Sequence, residues 1–588
     1  MRIRFNAKGA AAVTMALAMA VAGTPALAAQ DWVAKSDAHT KVRLTMDATF
    51  NPEQAANTGL DGYDEGIFDL TPGVNERYEN ALRGVLAQHE KALQAEKNSN
   101  VRQDLQILIA DAKQTLAIQD LYERHLIDYY NLPQALFYSI SSLIDPQVDK
   151  SRYPAALVRM RKYTGMADGY TSVFEHAKRE TGNDLKNAEL LGPYVRQLET
   201  DIENMPRFVD GVRELFAGTD IEGWEPVLAE YEKQVTGYAA WLRENLLPRA
   251  RQESQLPAEI YAANLKAFGT TMDPHQLISR ATAGFMDIRV EMQAIARRIA
   301  EERGFKSDDY RDVIRELKKE QFTSDNIMPA YRERLEEIEE IVEENDIVTL
   351  PDREALIRLA SEAESAAQPA PHMQPPRMIG NTGEQGTFVL PLNNPNADSG
   401  EKMDDFLNDA MSWTLTVHEA RPGHEMQFAK MIENGVSQAR MLYAFNSANV
   451  EGWALYAEAM MLPYLPLDGQ LMSLQMRLLR AARAFLDPMV NLGMIDYDTV
   501  KNFLINDVVL SDPMATQEAD RYTFRAPGQA TAYYFGHMKM QELRAKTELA
   551  LGDSFDEQEF HDFILAQGLL PPELMAQAVQ ENFTKPRL

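Results

Sequence analysis

Apolar residues recur at steps of three and four along most of the chain, which is the pattern of amphipathic helices. They do so in four long stretches, residues 75–131, 224–247, 274–302 and 327–348. Pro and Gly residues separate these stretches. Alternation typical of strands is confined mainly to residues 41–46 and 387–392. We therefore predict an all-α, mainly helical fold with a few short strands.

The helical pattern breaks between residues 366 and 403, where Pro-rich stretches occur, and it resumes at Asp404. A linker and an irregular segment lining an active-site cleft both fit such a break. Because residues 388–390 are the apolar run Phe-Val-Leu, we favour the cleft-lining segment. We predict an N-terminal helical lobe over residues 29–365 and a helical catalytic lobe over 404–588. Together, residues 29–588 are expected to form one cooperative domain.

The first 28 residues have the pattern of a secretory signal peptide. Arg2, Arg4 and Lys8 precede an Ala-rich apolar run, and the stretch ends in an Ala-x-Ala pattern at Ala28. A buried N-terminal helix is the alternative. We expect cleavage after Ala28 and a periplasmic or secreted protein. No later run is apolar and long enough to cross a bilayer, so we expect no membrane insertion.

Composition narrows the chemistry. The chain has no cysteine, which excludes disulfides, thiolate ligands, a cysteine nucleophile and a lipid-modified cysteine. Any metal must then be held by His, Asp or Glu, which suits zinc. The 88 acidic and 59 basic residues give a formal net charge of -29. Such a charge repels phosphate backbones and anionic lipids, so we expect no nucleic-acid partner.

Residues 412–431, SWTLTVHEARPGHEMQFAKM, contain the candidate chemistry. Zinc hydrolases often place two His one helical turn apart, with a Glu beside the first as general base. Here His424 follows His418 by six residues, which on a straight helix means a rotation of about 240° and a rise of about 9 Å. The two could not share one ion. We therefore predict that Pro422 and Gly423 break the helix and bring the two imidazoles together.

A downstream helix offers a third ligand, because Glu451, Leu455 and Glu458 fall on one stripe. Two His and one Glu, with a fourth position left to water, form a catalytic zinc arrangement. Glu419 would then take a proton during attack on a carbonyl. The alternatives are a simple Pro-Gly-His turn and a Glu451 that is solvated or paired with Arg480 or Arg483.

Three motifs together resemble a known family. They are HEARPGHEMQ at 418–427, VEGWALYAE at 450–458 and RAPGQATAYYFGHMKMQELR at 525–544. They resemble a bacterial family classed as a domain of unknown function, which shows HExxPGHH, VEGWALYAE and PGQAxxY motifs. That family distantly resembles HExxH zinc metallopeptidases with a downstream Glu ligand, including all-helical carboxypeptidases. The resemblance implies that His418, His424 and Glu451 bind one Zn²⁺ and that Glu419 is the general base.

Two positions depart from the family pattern. Members usually carry a second His directly after the first in PGHH, where this chain has Glu425. Glu425 is therefore the alternative ligand. Members often carry a downstream His at the position of Asn491. Either change could alter substrate choice or abolish activity.

Residues 521–537 supply candidate substrate contacts. Arg525 could bind a substrate carboxylate, Tyr533 or Tyr534 could donate to a developing oxyanion, and His537 could assist. The alternative is a Pro-Gly turn followed by tyrosines that only pack. We take Tyr533 as catalytic and Tyr534 as substrate-binding. Arg477, Arg480 and Arg483 are expected to pair with acidic residues.

The sequence therefore predicts an exported zinc-dependent hydrolase acting on peptides or other small amides, either carboxypeptidase-like or an oligopeptidase. One alternative is a catalytically inactive periplasmic binding protein on the same fold. Another is a helical scaffold without metal. Motif specificity favours the enzyme, whereas the oligomeric state stays open.

Overall fold

The computed structural model describes residues 24–323, 325–392 and 403–587. It is 69% helical, with 23 α-helices and one small three-stranded sheet in the described residues. This confirms the predicted all-α fold. Residues 1–23 of the predicted signal peptide lie outside the described part, and its last five residues begin the first helix. In the part of the chain that is described, no helix is long and apolar enough to cross a membrane.

Ten helices precede residue 270. They are α1 (Thr24–Phe50), α2 (Pro52–Thr58), α3 (Val74–Ala95), α4 (Ser99–His125), α5 (Leu132–Ser141), α6 (Pro154–Tyr163), α7 (Val173–Asp184), α8 (Val195–Ala217), α9 (Glu225–Trp241) and α10 (Ala258–Ala267). The stretch 75–131 contains α3 and α4, which separate where Asn98 caps α4 by accepting from the amides of Asn100 and Val101. The stretch 224–247 contains α9 and a π-helical turn, Leu242–Leu246.

Thirteen helices follow. They are α11 (Pro274–Arg303), α12 (Tyr310–Leu317), α13 (Ile327–Glu344), α14 (Glu362–Ala367), α15 (Asp409–Leu415), α16 (His424–Glu433), α17 (Ser447–Met461), α18 (Leu467–Asn491), α19 (Tyr497–Phe503), α20 (Asp512–Asp520), α21 (Thr531–Leu551), α22 (Glu557–Ala566) and α23 (Pro572–Ala578). The stretches 274–302 and 327–348 correspond to α11 and α13. Helix α15 begins at Asp409, five residues after the predicted restart, because Asn408 caps it by accepting from the Met411 amide.

The three strands are β1 (Leu356–Leu359), β2 (His372–Gln374) and β3 (Thr387–Leu390), in the order β1-β3-β2. β3 pairs in parallel with β1 and antiparallel with β2. The predicted strand at 387–392 is thus confirmed over its first four residues. All four residues of β3 are buried, so the segment is not a solvated tether. Residues 393–402 of the predicted irregular segment lie outside the described part.

The predicted strand at residues 41–46 is wrong, because these residues lie within α1. Ser36, Thr40, Leu44 and Ala48 are all buried, and their spacing of four places them along one face of the helix. This longer period outweighs the short apolar-polar alternation between residues 41 and 46.

Three large hydrophobic cores hold the helices of the described residues together, beside two small clusters. The largest contains buried residues of both α11 and α18, with residues from β1 and β3. A second is formed mainly by α5 to α9. A third joins α13, α17, α21 and α22. Most residues of α18 are buried, and the helix therefore runs through the interior rather than along the surface.

Candidate metal centre

His418 and Glu419 lie in a π-helical turn, Thr416–Ala420, that continues directly from α15. Both side chains are buried. A π-helical turn inside an α-helix is rare and is often found at functional sites. Here the π-helical turn changes the directions of the His418 and Glu419 side chains from those they would have on a regular α-helix.

The chain leaves the helical conformation between the two His, as predicted. Arg421 is extended, with φ −125° and ψ 138°, as expected for a residue before proline. A Cβ added to Gly423 would lie 2.1 Å from the carbonyl oxygen of His418, so only glycine fits here. Helix α16 then begins at His424. The Pro-Gly break is confirmed.

Glu451 on α17 meets both imidazoles. Its Oε2 lies 3.2 Å from His424 Nε2 and 3.6 Å from His418 Nε2. One ligand atom from each of the three residues lies within 4.8 Å of the other two. The three residues predicted as ligands therefore come together at one point, which we call the His/Glu cluster.

The donor set of this cluster suits zinc. Imidazole nitrogen and carboxylate oxygen bind Zn²⁺ at about 2.0–2.2 Å, which in a tetrahedral site separates neighbouring ligand atoms by about 3.3–3.6 Å. The carboxylate oxygen of Glu451 is already at nearly this distance from both imidazoles. The residues present therefore fit a zinc ion.

A second carboxylate, that of Glu458, contacts the ring nitrogen of His418 that does not face Glu451. Sequence reasoning did not identify Glu458 as a functional group. Glu458 Oε1 lies 2.7 Å from His418 Nδ1 and 3.3 Å from Arg480 Nη2. Burial opposes the charged form, but Arg480 and His418 outweigh it and lower the pKa of Glu458. Such a carboxylate directs the other imidazole nitrogen at the metal. The seven-residue spacing from Glu451 on one helical stripe was the signal that could have identified it.

Glu419 lies at the edge of the cluster. Its Oε1 is 3.9 Å from His418 Nε2. Burial raises the pKa of Glu419 to about 7, and the nearby Glu451 adds to the shift while His424 opposes it. The Met373 backbone on β2 also bonds to this carboxyl, and β2 therefore contributes to the wall of the site. The Glu419 carboxyl therefore lies next to the donor atoms of the cluster.

Tyr533 on α21 is held by Arg521. The Nη2 of Arg521 lies 2.6 Å from the Tyr533 hydroxyl. A guanidinium can only donate, so the phenol oxygen accepts this bond and its proton remains available for another acceptor. Burial raises the pKa of Tyr533, although Arg521 opposes the shift. Tyr533 is therefore a protonated hydrogen-bond donor at neutral pH.

Two glycines bring Tyr533 towards Glu451. A Cβ on Gly452 would lie 2.7 Å from the backbone of Gly536, and a Cβ on Gly536 would lie 2.0 Å from the Ala448 carbonyl oxygen. Helices α17 and α21 thus touch through their backbones. Because Gly452 follows Glu451 and Gly536 lies three residues after Tyr533, this contact sets the spacing of the site.

The other predicted substrate contacts lie elsewhere. Tyr534 and His537 line a separate cavity of about 350 Å³ with Met272 and Arg280. Burial, with help from Arg477, lowers the pKa of His537 to about 3, so this imidazole is neutral. Consecutive residues on a helix point about 100° apart, which explains why Tyr534 does not accompany Tyr533.

Arg525 lines a larger cavity of about 890 Å³. None of the three residues of the His/Glu cluster lines this cavity. The structure therefore brings Glu419 to the cluster and places Arg525 in a neighbouring space.

Neither family departure falls in the His/Glu cluster. Glu425 Oε2 accepts from Arg421 Nε at 2.8 Å. Burial raises the pKa of Glu425 to about 7, with Arg421 opposing. Asn491 Nδ2 donates to the backbone carbonyls of Asp487 and Tyr522. Both side chains have structural partners.

The arginines of α18 pair largely as predicted. Arg480 contacts Glu458, and Arg483 makes a two-pronged pair with Glu518 at 2.6 and 2.7 Å. Arg477 lies within the electrostatic reach of Glu458 and Glu291. These arginines therefore balance buried carboxylates around the site.

With the site described, comparison with known proteins gives the family. The family described as "Bacterial protein of unknown function (DUF885)" matches residues 52–579. The chain belongs to this family. The match confirms the predicted family of bacterial proteins, and its description names no activity.

Two solved structures have the same fold. A "putative lipoprotein" from Colwellia psychrerythraea has a TM-score of 0.72 and 18% identity, over 94% of this chain and 97% of that chain. A "putative lipoprotein of unknown function" from Shewanella oneidensis has a TM-score of 0.69 and 19% identity, over 93% and 99%. At such identities the likeness establishes the fold alone. No curated protein matches the chain significantly.

Proposed function

We propose that this protein is an exported zinc-dependent hydrolase that cleaves peptide or related amide bonds. The observation that carries the proposal is the convergence of His418, His424 and Glu451 from three separate helical segments. Glu419 lies beside these donors as a general base, and Glu458 orients one of them from behind. The distant resemblance of the three motifs to HExxH metallopeptidases supports the same chemistry.

The residues divide the chemistry between them. A zinc ion held by the His/Glu cluster would supply a Lewis acid that polarises the scissile carbonyl and makes water more acidic. Glu419 accepts the proton of the attacking water and delivers it to the departing nitrogen. Tyr533, fixed by Arg521, donates its free proton to the oxygen that becomes negative. Carboxypeptidase and oligopeptidase activity are both consistent with this division.

Export is supported by two observations. The first 28 residues have the charge, apolar run and Ala-x-Ala pattern of a signal peptide. The two solved structures with this fold carry descriptions as lipoproteins, a class of exported proteins. Cell fractionation with an antibody to the chain tests this part directly, and retention in the cytoplasm would contradict it.

The chemistry is tested by replacing Glu419→Gln in the full chain. We expect the variant to retain zinc, measured by elemental analysis, and to lose hydrolysis of a mixed peptide library, measured by mass spectrometry. Glu425→Gln is the matched control, because it makes the same change in a buried carboxyl outside the cluster. Equal turnover by Glu419→Gln and the unsubstituted chain would sink the proposal.

The binding-protein alternative rested on Glu425 and Asn491. Their contacts with Arg421, Asp487 and Tyr522 leave the donors of the cluster intact. The enzyme is therefore the better-supported function. Zinc binding and tight peptide association without any turnover would favour the alternative.

A further inference from the structure

One cavity is lined by residues from both halves of the chain. Its lining includes residues of α1, α2, α4 and α5 together with residues in the ranges 441–445 and 524–527. The volume of about 890 Å³ falls in the range of small-ligand sites, about 300–1,000 Å³. Six of the lining side chains are tyrosines, at positions 78, 122, 129, 130, 138 and 443. The space suits a short, partly polar ligand rather than a folded protein.

Three chain connections lead from the lining of this cavity towards the residues of the His/Glu cluster. Phe445 lines the cavity and lies six residues before Glu451. Met378 lines it and lies five residues after Met373, whose backbone bonds to Glu419. The π-helical turn Arg521–Arg525 presents Arg521 to Tyr533 at one end and Arg525 to the cavity at the other. A substrate in the cavity would therefore reach towards the catalytic groups.

Arg525 is the unusual feature of the wall. Within the described residues it has no ion pair within 4.0 Å and no hydrogen-bond partner, and its one recorded contact is with the ring of Phe524. The carboxyl whose field reaches it is that of Asp201, which lies beside Tyr129 and Asn131. A half-buried guanidinium without a direct partner is costly to desolvate. The planar guanidinium of Arg525 can donate two parallel hydrogen bonds, and the carboxylate of a ligand is the group that accepts them best.

We propose that this cavity is the substrate chamber of the enzyme and that Arg525 binds the free carboxylate at the end of a short peptide. The inference rests on the proposed function and narrows its substrate class to oligopeptides with an unblocked C terminus. The volume of about 890 Å³ limits the length of the peptide, and the aromatic rings of the wall accept varied side chains through their faces. Folded proteins and C-terminally amidated peptides are excluded or strongly disfavoured.

Binding and turnover are measured separately. Two N-acetylated pentapeptides of the same sequence, one with a free carboxylate and one with a C-terminal amide, are titrated by calorimetry into zinc-loaded full chain carrying Glu419→Gln. We expect the free acid to bind about 10- to 100-fold more tightly, the effect of one charge-assisted contact. Adding Arg525→Met should reduce the affinity for the free acid to that for the amide. Arg525→Lys should restore part of the preference, which a folding defect would not.

Arg243→Met is the control, since Arg243 is an exposed arginine in another π-helical turn, Leu242–Leu246. It should keep the full preference for the free acid. Equal affinity for acid and amide, or no binding of either, would overturn the assignment of the chamber. If the preference is present but the unsubstituted chain cleaves no peptide, the chamber stands and the proposed hydrolase fails. If peptides are cleaved without regard to their C terminus, the hydrolase stands and the chamber fails.

Discussion

Single residues around His418 determine how well the cluster can hold a metal. The imidazole has one nitrogen facing Glu451 and the other bonded to Glu458. Glu458 in turn contacts Arg480, so its orientation is also fixed. This chain of contacts keeps His418 in one tautomer and one position before any metal binds.

We therefore expect Glu458→Gln to weaken zinc binding by about tenfold or more, because the carboxylate that orients His418 loses its charge and its pairing with Arg480. Competition with a zinc-binding dye measures the affinity. Glu425→Gln, which alters a buried carboxyl that contacts Arg421 instead, should leave the affinity within about twofold. An unchanged affinity in Glu458→Gln would show that His418 needs no support from behind.

A second residue-scale prediction concerns Arg521, which we regard as a positioning residue for Tyr533. Tyr533→Phe should lower kcat by about 10²–10³, the usual loss for one oxyanion donor. Arg521 also contacts Gln529 and Glu518. Arg521→Met should lower kcat with little change in KM, because Arg521 acts on the reaction by directing the Tyr533 proton.

The double variant separates this role from a general loss of structure. If Arg521 acts through Tyr533, Arg521→Met combined with Tyr533→Phe should be no slower than Tyr533→Phe alone. Arg521→Lys should recover part of kcat, since it restores a charged donor. Fully additive losses would contradict the assignment.

At the scale of elements, the site depends on where helices stop and how closely they approach. α15 widens into a π-helical turn, α16 starts afresh after Gly423, and α17 meets α21 through glycines. Each of these three features puts a side chain of the site in a position that it would not reach from an uninterrupted α-helix.

Gly423→Ala tests the first of these junctions. The new Cβ would lie 2.1 Å from a backbone carbonyl oxygen, so α16 must shift away from His418. We expect a loss of zinc affinity of at least tenfold and a lower Tm, each measured on the purified variant. Gly237→Ala in α9, where no atom lies within 4 Å of the added Cβ, should be neutral or slightly stabilising. Retained zinc affinity in Gly423→Ala would mean that the junction tolerates change.

The elements were largely predictable because helix period and punctuation are local properties. The stretch 274–302 matched α11 within one residue. Residues 41–46 failed because the burial of α1 depends on partners far along the chain, such as Asp104 for Ser36 and Asp111 for Arg43. In the site, spacing alone required a break at Pro422. Spacing could not reveal that Arg521, rather than Arg525, contacts Tyr533, because that depends on how a π-helical turn is oriented against α21.

At the scale of the whole molecule, one buried imidazole joins three elements of the third core. His561 on α22 has Nδ1 2.7 Å from the Ile347 carbonyl oxygen and Nε2 2.7 Å from the Tyr456 hydroxyl on α17. Because a carbonyl only accepts, Nδ1 carries the proton and Nε2 accepts from Tyr456. This neutral tautomer connects the end of α13 and α17, the helix of Glu451, to the C-terminal helices.

We expect His561 to make the folded chain less stable at acidic pH. Burial lowers the pKa of His561 from an ordinary 6.5 to about 4, with Arg544 adding to the shift while the Ile347 carbonyl, Glu557 and Asp562 oppose it. Between those values the unfolded chain takes up a proton that the folded chain does not. The stabilisation is therefore complete above pH 6.5 and is lost as the pH falls towards 4. At pH 5 the loss relative to pH 7 is about 2 kcal/mol.

His561→Gln keeps a donor and an acceptor but cannot titrate, so it removes this contribution without removing the contacts. We expect the unsubstituted chain to be more stable at pH 7, and its advantage in Tm to shrink or reverse by pH 5. Thermal unfolding at pH 7, 6 and 5 gives the difference in Tm between the two chains. Other titrating groups are the same in both chains, so their effects cancel in this difference. The exposed His275→Gln on α11 controls for the loss of one imidazole. Parallel Tm curves for His561→Gln and the unsubstituted chain would show that His561 does not link α22 to α17 in this way.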